Sequence, residues 1–129
     1  MFKIECIDHI VLRTYHIDSM IDFYCNILGC HIEQVQEEIG LTQLRAGTNI
    51  IDLVKIEKPL NDSNRNLEHL CLRIYPFDYE SLKKYFREKN IEIYRYGNRY
   101  GAQGIGPSFY LKDPEGNEIE LKATMDNKV

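Results

Sequence analysis

The chain reads as an α+β protein of two βαβββ modules forming a cupped mixed sheet, and three observations carry that reading. Residues 67–75 (LEHLCLRIY) repeat residues 7–15 (IDHIVLRTY), with His9 and His69, Arg13 and Arg73, and Tyr15 and Tyr75 each 60 positions apart. Ile119-Glu120-Leu121 echoes Ile51-Asp52-Leu53 from 68 positions earlier, so the repeats match at both ends. Each half carries one helical period followed by short strand-like runs.

Residues 6–14 (CIDHIVLRT) form the first expected strand, with Ile10 and Leu12 on one face and Ile7, an inward His9, Val11 and Arg13 on the other. Asp18 is placed to cap a helix in which Ile21, Tyr24, Cys25 and Leu28 recur at helical spacing before Gly29 stops it. Residues 30–36, 41–46 and 49–56 read as three short strands. The polar segment 57–66 (EKPLNDSNRN) is the one plausible linker. It separates module one, about 1–58, from module two, about 65–125, within a single domain spanning 1–129. In the second module, 67–75 is a strand and a helix follows Asp78, with Leu82, Tyr85 and Phe86 inward and an end at Asn90. Residues 91–96 form the next strand. Residues 97–108 (GNRYGAQGIGPS), rich in glycine, read as a mobile or tightly turned loop before the last two strands. The Asp-Pro-Glu-Gly turn at 113–116 then delivers Glu120 to the face opposite Ile119 and Leu121.

At 129 residues, 43% hydrophobic and 28% charged, the chain has the makeup of one ordinary globular domain. A net charge of −4 with no basic block leaves nucleic acid and anionic membranes without an electrostatic footprint, so a small molecule is the expected partner. The N-terminus reads directly as a strand and no apolar run approaches a membrane span, which points to the cytoplasm. Cys6, Cys25, Cys30 and Cys71 fall in apolar segments without a C-x-x-C pair. They read as buried, reduced thiols, with a disulfide or soft-metal site as the alternative.

Each module offers a histidine from its first strand and a carboxylate from its last: His9 with Asp52, His69 with Glu120. If first and last strands adjoin, these four become metal ligands, and imidazole with carboxylate suits a divalent ion such as Zn, Ni, Fe(II) or Mn. The plainer alternative makes the histidines core residues and the acids surface groups.

The D-H-I-V-L opening, the F-Y-C-N-I-L-G helix end, the E-H-L-C-L strand and D-P-E-G-N-E-I-E-L together resemble the vicinal oxygen chelate superfamily over nearly the whole chain. That fold hosts glyoxalase I, extradiol dioxygenases, fosfomycin-modifying thiol transferases and metal-free bleomycin-binding proteins. The resemblance implies His9, His69 and Glu120 as metal ligands, with Asp52 standing where glyoxalase I has a glutamate. It further implies Glu120 and Asp52 as catalytic carboxylates that move a substrate proton, and a homodimeric assembly. Arg13 resembles the arginine that glyoxalase I uses for a glutathione carboxylate, and Arg73 is its repeat mate; a solvated strand end is the other reading. Tyr110 falls in an F-Y-x-x-D-P-x-G-x-x-x-E stretch similar to the extradiol dioxygenase signature and is a substrate-binding candidate, or else a core tyrosine.

Two departures stand out. Ile56 occupies the place of a glutathione-binding asparagine, and Gln103 that of the dioxygenase histidine, where an amide cannot act as acid or base. The leading expectation is a metal-dependent lyase or isomerase of glyoxalase I type, in which a substrate with adjacent oxygens chelates the ion and an enediolate is stabilised. A thiol transferase or dioxygenase-like enzyme acting on an anionic substrate or thiol adduct is one alternative. A drug-sequestering protein without turnover is the other.

Overall fold

A computed structural model of the chain describes residues 1, 3–61, 63, 65 and 67–125. The backbone divides into two compact units, Met1–Asn64 and Arg65–Val129, and each contains one βαβββ run. Two four-stranded mixed sheets with few helices make this an α+β fold, as the repeat predicts.

In the first unit, β1 (His9–Thr14) runs parallel to β4 (Asn49–Lys55), and β3 (Leu41–Ala46) and β2 (His31–Gln36) continue the sheet antiparallel in the order β1-β4-β3-β2. Strand alternation sends Leu12, Thr14, Thr42, Leu44, Ile51 and Leu53 to a buried face. The helical segment that accompanies this sheet contributes the buried Met20, Phe23 and Tyr24. It begins as α1 (Ile17–Ile21) and widens into a π-helical stretch, Asp22–Ile27, in which Leu28 N–H bonds Phe23 O at 3.0 Å. The wider turn explains why the buried set differs from the 3.6-residue expectation, with Phe23 beside Tyr24 rather than Cys25 fully inside. Asp18 lies inside the first helical turn and His16 takes the cap position, so Asp18 favours the helix through its charge near the N-terminus rather than as a cap. Gly29, at φ +87°, provides the expected stop.

The second unit repeats the plan with β5 (Leu70–Ile74), α2 (Tyr79–Glu88), β6 (Tyr94–Gly101), β7 (Gly104–Lys112) and β8 (Glu118–Ala123) in the order β5-β8-β7-β6. Its core centres on Phe109, fully buried, whose ring meets Phe77, Tyr79 and Phe86 at 5.7, 6.0 and 5.9 Å. Asn90, at φ +59°, ends α2 while Ile91 N–H reaches back to Phe86 O. Asn tolerates the left-handed region better than other non-glycine residues.

The glycine-rich segment is the main correction to the sequence reading. Residues 97–108 are an antiparallel hairpin turning at Ala102 and Gln103, not a loop. Its glycines act as space-makers: a Cβ on Gly101 would lie 3.1 Å from Lys122 Cε, and one on Gly106 would collide with Met125. A register shift between Tyr94 and Gly97, with Arg95 at φ +52°, turns neighbouring tyrosines to different partners. Tyr94 stacks toward Tyr110 and Tyr96 stacks on Tyr79 at 3.7 Å. The outer strands β1 and β5 start later than expected, at His9 and Leu70.

All four cysteines are free, but only Cys30 is buried; Cys6, ahead of β1, and Cys71, on the edge strand β5, are exposed. Burial, followed by the Cys25 sulfur, pushes the Cys30 thiol up to about 11, which leaves about one part in a thousand as thiolate at pH 8. Iodoacetamide at pH 8 is therefore expected to label Cys6 and spare Cys30 until denaturant is added. Peptide mass spectrometry showing equal labelling of both would contradict the packing of the first unit.

Candidate metal centre

The helix-free face of each sheet carries a repeat-related imidazole and carboxylate. In the first unit His9, Val11 and Arg13 on β1 share that face with Asp52 on β4, Asp52 pairing across the ladder with Val11. His9 is half-exposed rather than inward as expected, because β1 is an edge strand and this face has no helix over it. Asp52 is buried at 6% exposure and accepts a bond from Gln43 Nε2 at 3.0 Å. Gln43 in turn accepts one from Gln34 Nε2 at 2.9 Å.

In the second unit the grouping is tighter. Parallel pairing aligns Cys71 with Glu120, and antiparallel pairing aligns Glu120 with Tyr110. His69 Nε2 lies 3.3 Å from Glu120 Oε1, and the Tyr110 hydroxyl donates to the same oxygen at 3.2 Å. Glu120 and Tyr110 are both buried, and His69 stands edge-on to the Tyr110 ring at 5.5 Å. Desolvation first, then the adjoining Glu120 carboxylate, pushes the Cys71 thiol up to about 11, so it is a neutral neighbour of the acid. Desolvation and Glu120 likewise raise the Tyr110 phenol above its usual range.

Both imidazoles are held the same way. Asp8 contacts His9 Nδ1 at 2.7 Å and Glu68 contacts His69 Nδ1 at 2.8 Å, and in the second unit Nε2 is the nitrogen that meets Glu120. A carboxylate on the far ring nitrogen is the usual means of fixing a metal-binding histidine. The Asp8 bond, with Asp52 adding to it, holds His9 above its usual pKa against the partial loss of water around the ring.

These donors suit a divalent ion. Two ligands bound at about 2.1 Å in tetrahedral geometry stand about 3.4 Å apart, close to the 3.3 Å between His69 Nε2 and Glu120 Oε1. Among the described residues no group of three or more His, Cys, Asp or Glu side chains comes together to hold a metal.

The remaining candidates fare differently. Tyr110 belongs to the Glu120 cluster. Arg13 and Arg73 lie exposed on the histidine-bearing faces, without an ion pair among the described residues. Gln103 is used in the hairpin turn, where its Oε1 accepts Met125 N–H at 2.9 Å. Several residues escaped the sequence reading. Asp8 and Glu68 were visible as an acid before each repeated histidine. Gln43 emerges only from the β3–β4 register. Arg95 emerges only from the register shift between Tyr94 and Gly97, and Arg99 only from the strand that replaces the expected glycine-rich loop. Arg95 pairs with Glu118, and the guanidinium groups of Arg95 and Arg99 lie 4.4 and 4.9 Å from the Tyr110 ring centre.

Fold and site together define a two-module α+β protein that sets an imidazole beside a strand carboxylate in each module. The chain belongs to the glyoxalase/bleomycin resistance protein/dioxygenase superfamily, whose family model matches residues 6–121. It is 28% identical to a biphenyl-2,3-diol 1,2-dioxygenase of Rhodococcus globerulus over 127 residues, covering 88% of this chain but 60% of that protein, so it spans less than two thirds of that relative. It is also 28% identical to a glyoxalase domain-containing protein of Mycosarcoma maydis, covering 98% of this chain and 72% of the relative. Among solved structures, an integron cassette protein from the mobile metagenome of V. pseudocholerae superposes with a TM-score of 0.78 at 27% identity, over 98% of this chain and 99% of that one. Among the described residues no helix is long and apolar enough to cross a membrane.

Proposed function

We propose that the protein is a metal-dependent lyase or isomerase of glyoxalase I type, acting on a small substrate with adjacent oxygens. The supporting observation is the matched pair of imidazoles held through Nδ1 by a preceding acid, with His69 Nε2 3.3 Å from Glu120 Oε1. The proposed ligands of a divalent ion, Zn, Ni, Fe or Mn, are His9, Asp52, His69 and Glu120. When bound, such an ion supplies Lewis-acid polarisation of a substrate oxygen.

The chain's own residues do the rest. Asp8 and Glu68 hold the imidazoles in orientation. Glu120 and Asp52 are the carboxylates proposed to carry the substrate proton, and the Tyr110 hydroxyl steadies Glu120 by donating to Oε1. Arg13, Arg73 and Tyr110 are the proposed substrate contacts. Assembly as a homodimer in the cytoplasm completes the reading. The dioxygenase alternative is disfavoured by Gln103, which is bound up in a turn and cannot transfer a proton.

Metal analysis of protein purified without added ions, followed by assays with methylglyoxal plus a thiol, a catechol and an epoxide plus a thiol, tests the reading. About one ion per chain and turnover of the thiol adduct are expected, with sedimentation giving twice 15.2 kDa. Tight binding of an aromatic drug by metal-free protein, without turnover of any of the three, would replace the enzyme by a sequestering protein.

A further inference from the structure

A second row of polar groups runs beside Cys71, Glu120 and Tyr110 on the helix-free face of the second module. Pairing across the sheet aligns Arg73 with Lys122, Lys122 with Ser108 and Ser108 with Gly97. Lys122 is only 5% exposed, and lysines are rarely buried to that extent without a partner acid. Its hydrogen bond among the described residues goes to Gly104 O at 3.0 Å, which uses one of three N–H donors. Arg99 leans in from β6 and donates to Ser108 Oγ at 3.1 Å.

None of Arg73, Lys122 and Arg99 forms an ion pair among the described residues. The acids nearest this row are engaged elsewhere, Glu120 with His69 and Tyr110, and Glu118 with Arg95. Like charges on adjacent strands repel, so an arrangement of this kind is unfavourable until an anion joins it. The hairpin is shaped to permit it. A Cβ on Gly101 or Gly106 would come within 3.1 Å of the Lys122 Cε or 3.2 Å of its Nζ, so glycine is what lets the lysine lie across the strands.

We infer that Arg73, Lys122, Arg99 and the Ser108 hydroxyl form an oxyanion subsite that takes a carboxylate or phosphate group of the substrate. The subsite belongs to the metal-free chain. Only the idea that the other end of the same substrate meets His69 and Glu120 rests on the proposed function.

The test titrates metal-free protein with inorganic phosphate, and separately with sodium acetate, at constant ionic strength, following backbone amide shifts. Saturable shifts confined to β5, β7, β8 and the β6–β7 hairpin are expected, and Arg99→Gln and Lys122→Met should each weaken binding about tenfold. Arg45→Gln, which removes a guanidinium already forked onto Glu33, should leave it unchanged. Shifts with phosphate alone assign a phosphoryl group as the ligand, and shifts of the same amides with acetate assign a carboxylate. If Lys122→Met does not fold, Arg99→Gln decides alone. No saturable shift with either anion, or shifts that Arg99→Gln leaves intact, overturns the subsite. Because no metal is present, that failure is separate from a failure of the metal-binding reading.

Discussion

Glu120→Gln is expected to lower divalent-metal affinity by at least about 100-fold, since even outer partners of a metal ligand cost about 10–100-fold and Glu120 is proposed as a direct donor. The choice of glutamine matters. Glu120 is buried and accepts the Tyr110 hydroxyl, so alanine would leave that hydroxyl without its acceptor and cost about 1–3 kcal/mol of stability. Glutamine keeps an oxygen for Tyr110 while removing the charge that draws a cation. His69→Ala should give a loss of the same order, and Glu68→Ala a smaller one of about tenfold or less, because Glu68 is exposed and acts only through the ring. Competition against a chelator of known affinity reads all three, with circular dichroism confirming the fold. Unchanged affinity in both Glu120→Gln and His69→Ala would remove the second module from the metal centre.

The largest loss of stability should come from Phe109→Ala, about 3–5 kcal/mol, a large fraction of what a domain of this size possesses. Phe109 is fully buried, and its ring is the common neighbour of Phe77, Tyr79 and Phe86, so truncation removes one side of three aromatic contacts and leaves a cavity between α2 and the sheet. Tyr100→Ala provides the comparison. That ring is 83% exposed at the hairpin and should change stability by no more than about 0.5 kcal/mol. Urea denaturation midpoints at unchanged slope separate the two outcomes, and equal destabilisation would mean that Phe109 is not at the centre of the second core.

The repeat made the fold legible because a strand's two faces and a helix's period are written directly in residue order. Within each module, His9 with Asp52 and His69 with Glu120 could be assigned to the same face of their own sheet by parity alone, and the Val11–Asp52 and Cys71–Glu120 registers agree with that assignment. Residue order was silent wherever a register shift or a non-standard turn intervened. The π-helical stretch changed which side chains of the first helical segment are buried, and the shift between Tyr94 and Gly97 separated Tyr94 from Tyr96. Glycines at 101 and 106 read as loop residues because composition cannot distinguish a glycine that bends the chain from one that makes room for a neighbouring side chain, Lys122 at Gly101 and Met125 at Gly106. The depth of the histidines was misjudged for a related reason. Parity says which face a side chain takes, but not whether anything covers that face.

The hydrogen bonds behind the two strand carboxylates differ in kind. Asp52 receives an amide, and that amide is backed by a second, Gln34 to Gln43 to Asp52, a line of fixed dipoles that cannot release a proton near neutral pH. Glu120 is met by a phenol hydroxyl, a thiol held neutral and an imidazole. The two repeat-related carboxylates therefore share an address but not their company: amides back Asp52, while a hydroxyl and an imidazole meet Glu120 on one oxygen.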